Sequence, residues 1–361
     1  MEAYKMKNIL LVDDSALMRR VLCDIINSDE RFHVQDRAVN GLEALDLLSR
    51  KTYDAVVLDV NMPQMNGLEL LKELQKRKIS AKILMASTDT REGAKTTLDA
   101  LELGALDFIH KPNNAMDCRN GEFKERLLKI LAVVADSRMQ VSSKTFTAGD
   151  LKSSKKMVAL VSRHAASVSG NKIVALASST GGPKALQAVI PRLPKNLKAP
   201  VVVVQHMPAG FTASLAERLD SLSEVRVKEA AEGDVLEPGT VYIAMGGKHL
   251  NVLTMATKYT IHYTNEPARE GVKPCANYMY ESLSDSRYDQ IVCVVMTGMG
   301  ADGTQGIRNL KEKKKTHVIV QEASTCAVYG MPKSAVAAGL ADQTVPLEQI
   351  AQEIIMNVGV K

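Results

Sequence analysis

The chain has 361 residues, 45% hydrophobic and 24% charged, which is ordinary for a soluble globular protein of two or three domains. No apolar run reaches the ~18 residues a membrane helix needs. Met1-Glu2-Ala3-Tyr4-Lys5 offers no signal-peptide core, so a cytoplasmic protein without membrane insertion is expected. The net charge of +5 raises the question of nucleic-acid binding, but its location argues against it. Residues 137–172 hold seven Lys/Arg and one acid, Asp150, more than the whole net charge, which reads as a solvated linker. Five widely spaced cysteines (Cys23, Cys118, Cys275, Cys293, Cys326) without a CxxC pattern read as reduced thiols.

From residue 8 to 135 strand-like and helix-like stretches alternate. The predicted elements are Ile9–Val12, Ala16–Ile26, Val34–Ala38, Leu42–Leu48, Asp54–Asp59, Leu68–Gln75, Ala81–Ala86, Ala94–Leu103, Leu106–Ile109 and Phe123–Ala135. Five β-then-α repeats predict an α/β domain with a five-stranded parallel sheet covered on both faces. Functional residues then belong at strand C-termini. Asp13-Asp14, Asp59, Ser87-Thr88 and Lys111-Pro112 all stand there. Three carboxylates on one edge repel unless a cation joins them, and a hard divalent ion, most simply Mg²⁺, suits oxygen ligands. A lysine and a serine hydroxyl supply the contacts a phosphoryl group wants.

Leu11-Val12-Asp13-Asp14-Ser15, Leu58-Asp59-Val60-Asn61-Met62-Pro63, Asn66-Gly67 and His110-Lys111-Pro112 resemble a two-component response-regulator receiver domain. The resemblance implies Asp59 as phospho-acceptor, with Asp13, Asp14 and the carbonyl of Asn61 around Mg²⁺. It also implies Ser87 and Lys111 as phosphate contacts and Phe108 as the aromatic switch residue. The domain is expected over 1–135.

Residues 136–171 lose periodicity and read as a Ser/Lys-rich linker, with Met157–Val161 as a possible short ordered piece. Alternation resumes at 172. Strand Ile173–Ala177, helix 183–190, strand 200–205 and helix Phe211–Leu222 predict a second doubly wound α/β domain. Short strands Val225–Glu229, Val241–Ala244, Leu250–Thr254 and Tyr259–Tyr263 predict a small antiparallel addition. Helix 276–286, strand 290–297, helix 303–314, strand 317–321, helix 332–338 and a last helix, Val345–Val360, complete it.

Three polar residues leave the ends of apolar strands here: Ser179 in Ala177-Ser178-Ser179-Thr180-Gly181-Gly182-Pro183, His206 in Gln205-His206-Met207-Pro208, and Asp302 in Thr297-Gly298-Met299-Gly300-Ala301-Asp302-Gly303. Ester or amide cleavage by serine needs a hydroxyl, a base and an acid that orients the base. The order Ser, His, Asp differs from α/β-hydrolases, and no G-x-S-x-G elbow occurs. Taken alone, each has a plainer reading: a helix N-cap for Ser179 and Asp302, a core histidine for His206. A phosphate site at 179–182 is the rival, but neither G-x-G-x-x-G nor G-x-x-x-x-G-K-[ST] is present.

Those motifs, with Tyr329-Gly330-Met331-Pro332, resemble the catalytic domain of the CheB family of chemotaxis protein-glutamate methylesterases over 172–358. The resemblance implies Ser179 as nucleophile, His206 as base and Asp302 as its orienter. Thr180 lies beside the nucleophile, and the Met299 N–H would help hold the oxyanion. Where the family usually has Gly-Ala before the nucleophile, this chain has Ala177-Ser178, which adds a second hydroxyl. The implied activity is phosphorylation-regulated hydrolysis of glutamate methyl esters, and deamidation of some glutamines, on methyl-accepting chemotaxis receptors. The implied partners are a chemotaxis histidine kinase as phosphoryl donor and those receptors as substrate, and no cofactor is implied for the esterase. A different class of function, a phospho-switch whose second domain only binds, is separated from it by assaying methanol release.

Overall fold

Parallel strands covered on both faces have to be nearly continuous apolar runs, and the strands at the middle of each sheet are buried over most of their length. The computed structural model describes residues 6–87, 91–112, 114, 117–119, 121–137, 169–256 and 258–361. These form two units, one within Met1–Val141 and one within Ser142–Lys361. Of the expected linker only 136, 137 and 169–171 are described. Met157–Val161 and Thr88 lie outside the described residues.

The first unit runs β1 (Lys7–Val12), α1 (Ala16–Asn27), β2 (Phe32–Ala38), α2 (Gly41–Arg50), β3 (Ala55–Asp59), α3 (Gly67–Arg77), β4 (Ile83–Ser87), α4 (Arg91–Glu102), β5 (Asp107–His110) and α5 (Gly121–Asp136). The strand order is β2-β1-β3-β4-β5, and every neighbouring pair is parallel. The order reverses between β1 and β3, the place where such sheets open a crevice at their C-terminal edge. Local sequence fixes the helix starts at that edge. Ser15 and Asn40 cap α1 and α2, and Asn66 with Glu69 forms a capping box on α3. Gly67 has to be glycine, because a Cβ there would lie 2.5 Å from the Asp59 carbonyl oxygen.

The second unit runs β6 (Lys172–Ser178), α6 (Gly182–Val189), β7 (Val201–Gln205), α7 (Phe211–Leu222), β8 (Arg226–Glu229), β9 (Thr240–Ile243), β10 (His249–Met255), β11 (Lys258–Thr264), α8 (Ala276–Ser282), β12 (Gln290–Val295), α9 (Thr304–Lys311), β13 (Thr316–Gln321), α10 (Met331–Ala337), β14 (Gln343–Val345) and α11 (Leu347–Val358). Seven strands form one sheet in the order β14-β13-β12-β6-β7-β9-β8, all parallel. Its order reverses between β6 and β12, so the ends of β6, β7 and β12 stand side by side.

The antiparallel addition is smaller than the sequence suggests. Only β10 and β11 form an antiparallel pair, while β8 and β9 extend the parallel sheet to its edge. Their connection lacks a crossover helix and lies against the hairpin instead, with Gly233 N–H donating to Ile261 O (2.9 Å) and Leu236 N–H to Tyr259 O (2.9 Å). That support replaces the helix that parallel neighbours ordinarily need. β14 precedes the last helix as a separate edge strand. Its three residues are too few for any alternation to register.

Helices α8 and α9 cross at Gly306, where a Cβ would lie 2.7 Å from Asn277 Cα and its carbonyl oxygen. Alanine at 306 gains at most about 1 kcal/mol of helix propensity. Overpacking against backbone, which cannot swing aside, costs about 1–3 kcal/mol. Gly306→Ala is therefore expected to lower the thermal midpoint of the second unit. An unchanged or raised midpoint, followed by calorimetry, would show that the helices yield at no cost.

Candidate active site and acidic pocket

β6 ends at Ser178, which pairs with Gln205 at the end of β7. Ser179 and His206 are therefore the first residues beyond two adjacent parallel strands. The two serines have different surroundings. Ser178 is fully buried, and its hydroxyl donates to Gln205 Oε1 at 2.7 Å. Ser179 is partly buried, with its N–H on Thr297 O (3.0 Å) and its carbonyl accepting from Gln205 Nε2 (2.9 Å). Gln205 Nε2 also donates to the His206 carbonyl at 3.3 Å. One buried amide thus fixes the backbone at both strand ends. Sequence reasoning passed over Gln205; a polar residue closing an apolar strand was the available signal.

β12 brings a third strand end against Ser179. A Cβ at Gly298 would lie 2.8 Å from Ser179 Cβ and 2.5 Å from Met331 Sδ, so the chain comes this close only as glycine. The Gly298 carbonyl accepts from Gly330 and Met331 N–H (3.0 and 2.9 Å). Thr297, fully enclosed, donates its hydroxyl to the Thr180 carbonyl at 2.9 Å and receives the Val328 N–H at 3.0 Å. Thr180 is buried, and Met299, partly buried, follows Gly298 directly. These bonds hold 179–182 and 297–299 as one surface.

Asp302 meets His206 directly: Oδ2 lies 2.7 Å from Nε2. The carboxylate is 3% exposed. Oδ2 also receives Ala276 N–H (2.6 Å), and Oδ1 receives Asn277 N–H (3.0 Å), Gly303 N–H (2.8 Å) and the Cys275 thiol (3.0 Å). Three of these donors belong to the starts of α8 and α9, where N–H groups lack helical partners. Burial alone would raise this carboxyl. Hydrogen bonds from His206, Cys275 and Ala276, with the histidine's charge, outweigh burial and hold it below the usual range. The other imidazole nitrogen, Nδ1, is buried and has no hydrogen-bond partner among the described residues. No hydrogen bond joins Ser179 to His206 among the described residues; such contacts commonly tighten only with substrate. Asn277 buttresses the arrangement, its Oδ1 accepting from Gly303 and Gly306 N–H (3.1 and 2.6 Å). Cys275 and Asn277 sit nearly thirty residues before Asp302 and carried no motif that flagged them.

In the first unit, Asp13, Asp14 and Asp59 present carboxylate oxygens all within 4.8 Å of one another. Lys111, 4% exposed, places Nζ 3.0 Å from Asp13 Oδ2 and 2.8 Å from Asp59 Oδ1. Asp59 Oδ1 also accepts the Val60 N–H at 2.7 Å. Burial raises the Asp59 carboxyl and Asp13 repels it further, more than Lys111 lowers it. Burial disfavours the Lys111 ammonium, but Asp59 and Asp13 more than compensate and raise its pKa. One ammonium against three carboxylates leaves negative charge for a cation, and an oxygen-only donor set fits a hard divalent ion. Ser87 closes β4, next to β3, and is buried. Phe108 is buried on β5, and Asn61 is exposed two residues past Asp59.

The two units match two families. Residues 174–354 match the CheB methylesterase family and residues 9–120 the response regulator receiver domain family. The chain is similar to the protein-glutamate methylesterase/protein-glutamine glutaminase 1 of Syntrophomonas wolfei, 42% identical over 97% of this chain and 98% of that protein. It is similar to the protein-glutamate methylesterase/protein-glutamine glutaminase of Pyrococcus abyssi, 41% identical over 97% of this chain and 93% of that one. The CheB methylesterase catalytic domain of Thermotoga maritima superposes with a TM-score of 0.50 and 44% identity, covering 52% of this chain and 98% of that one. A receiver sheet with an acidic pocket, followed by a parallel sheet that joins a histidine to a buried aspartate beside a strand-end serine, places this chain in the CheB family of protein-glutamate methylesterases.

Proposed function

We propose that the chain hydrolyses γ-glutamyl methyl esters, and deamidates some glutamines, on methyl-accepting chemotaxis receptors, under control of phosphorylation at Asp59. The observation that carries the esterase half is the state of His206. Its Nε2 is tied to a buried carboxylate, which leaves Nδ1 as the proton acceptor at the strand end next to Ser179.

Ser179 Oγ attacks the ester carbonyl as its proton passes to His206 Nδ1. Asp302 holds the ring and stabilises the imidazolium. The oxyanion is met by backbone N–H groups near Ser179, with Met299 N–H as the donor from the β12 end and Thr180 flanking the nucleophile. Methanol leaves with the proton from His206. Water then attacks the acyl-enzyme, and glutamate and free Ser179 result. With glutamine the same steps release ammonia. Ser178 is passed over as nucleophile because its hydroxyl is buried and engaged with Gln205.

In the receiver, Asp13, Asp14, Asp59 and the Asn61 carbonyl would hold Mg²⁺, which supplies charge neutralisation for phosphoryl transfer. Asp59 accepts the phosphoryl group from a chemotaxis histidine kinase. Lys111 and Ser87 contact its oxygens, and Phe108 answers the change as the switch residue. Lys111 already bridges Asp13 and Asp59, so phosphorylation would redistribute an ion pair already in place. Among the described residues no helix is long and apolar enough to cross a membrane.

Ser179→Ala is expected to lower methanol release from methylated receptor by on the order of 10³-fold or more. Ser178→Ala, which loosens Gln205 without removing the nucleophile, should stay within about tenfold of wild type. The reverse ranking would move the nucleophile to Ser178.

Mg²⁺ should raise the thermal midpoint of the receiver, and Asp13→Asn should abolish the rise. Because the Asp59 carboxyl is raised, protons compete with the cation. The rise should shrink as the pH falls toward that raised pKa and grow above it. A midpoint insensitive to Mg²⁺ at neutral pH would remove the metal site.

Acetyl phosphate with Mg²⁺ should increase methanol release by the full-length protein, and Asp59→Asn should not respond. An equal response in Asp59→Asn would place control elsewhere.

A further inference from the structure

We propose that Cys275 is a positioning residue that sets the base strength of His206 through Asp302; this rests on reading Ser179, His206 and Asp302 as the catalytic triad. Two oxygens of a carboxylate offer about four lone-pair positions, yet Asp302 receives five donors. Three are backbone N–H groups, of Ala276, Asn277 and Gly303. The other two are side chains, His206 Nε2 on Oδ2 and the Cys275 thiol on Oδ1 at 3.0 Å. Apart from His206, Cys275 is therefore the donor whose strength depends on which side chain stands there.

The thiol is suited to donate and to do nothing else. It is fully buried, and burial beside the Asp302 charge pushes its pKa far up, so it keeps its proton and is no nucleophile. The ionisable groups facing Asp302 are His206, Cys275 and the Tyr280 phenol of α8, which is fully buried with its hydroxyl on the Val294 carbonyl. Glu270 is one step further out, on Asn277 Nδ2 at 2.8 Å.

A donor on Oδ1 draws carboxylate charge away from the imidazole. The less charge Asp302 directs at His206, the less it stabilises the imidazolium that forms as the ring accepts a proton. Removing the Cys275 donor should return carboxylate charge to the side that faces His206. It should also let Asp302 shift within its cradle, so the ring is held less well.

The test measures the rate at which a fluorophosphonate labels Ser179 in the full-length protein, and methanol release alongside, from about pH 5 to about pH 9. Cys275→Ala and Cys275→Val both remove the donor, and valine fills the space that alanine leaves. Cys275→Ser keeps a donor. Alanine and valine should both move the acid limb upward by about half a pH unit and slow the plateau severalfold. Serine should return the limb to within about 0.2 pH unit of wild type. The proposal is overturned if valine keeps the wild-type limb, or if serine is displaced as far as alanine, which would reduce Cys275 to packing. His206→Gln is the control for the triad. If it still labels at the wild-type rate, the triad reading has failed; if it is silent and the Cys275 limbs coincide, the Cys275 proposal alone has failed.

Discussion

A carboxylate taken out of water is costly unless its charge is met by donors, and the second unit is arranged around meeting that requirement at Asp302. The starts of two helices converge on one side chain, with a thiol and an imidazole completing the set. Much else follows. Asn277 has to tie α8 to α9, because both helix ends serve the same acid. Gly306 has to be glycine-sized for those helices to approach. His206 is then oriented from behind by Asp302 and held along its backbone by Gln205.

The first unit faces the same electrostatic problem and leaves it open. Asp13 and Asp59 are also enclosed, but beyond one backbone N–H each they share a single lysine rather than a full set of donors. Uncompensated charge suits a pocket that exchanges a cation and a phosphoryl group. Full compensation suits an acid that stays ionised throughout a reaction. The directions of the two carboxyl pKa shifts, Asp59 up and Asp302 down, express that difference. Both sites stand where strand order reverses in a parallel sheet, which gives each an edge open to ligands.

Much of this was legible in the sequence, because strand ends mark themselves. Ser179, His206, Asp13 and Asp59 each close or follow an apolar run, and alternation alone put them on common edges. The residues that escaped notice act at a distance in sequence. Cys275 and Asn277 stand at the start of α8, and only the fold brings that helix start against Asp302. Thr297 works through backbone carbonyls, which leave no residue pattern, and Gln205 does the same, marked only as a polar residue closing an apolar strand. The β8–β9 pair departs from the sequence pattern for a related reason: short strands joined without a helix look like a meander, yet they pair in parallel, with their connection resting on β11. β14 was missed because three half-exposed residues carry no alternation.

The decisive feature of the proposed esterase site is the orientation of one imidazole, anchored through Nε2 on Asp302, with Nδ1 proposed as the acceptor of the Ser179 proton. ¹⁵N NMR of the histidine rings at neutral pH, with His206 identified by its loss in His206→Gln, reads this directly. The proton should sit on Nε2, with Nδ1 bare and its resonance shifting once Ser179 is phosphonylated. A neutral ring protonated on Nδ1, or one indifferent to modification of Ser179, would contradict the assignment of His206 as the base.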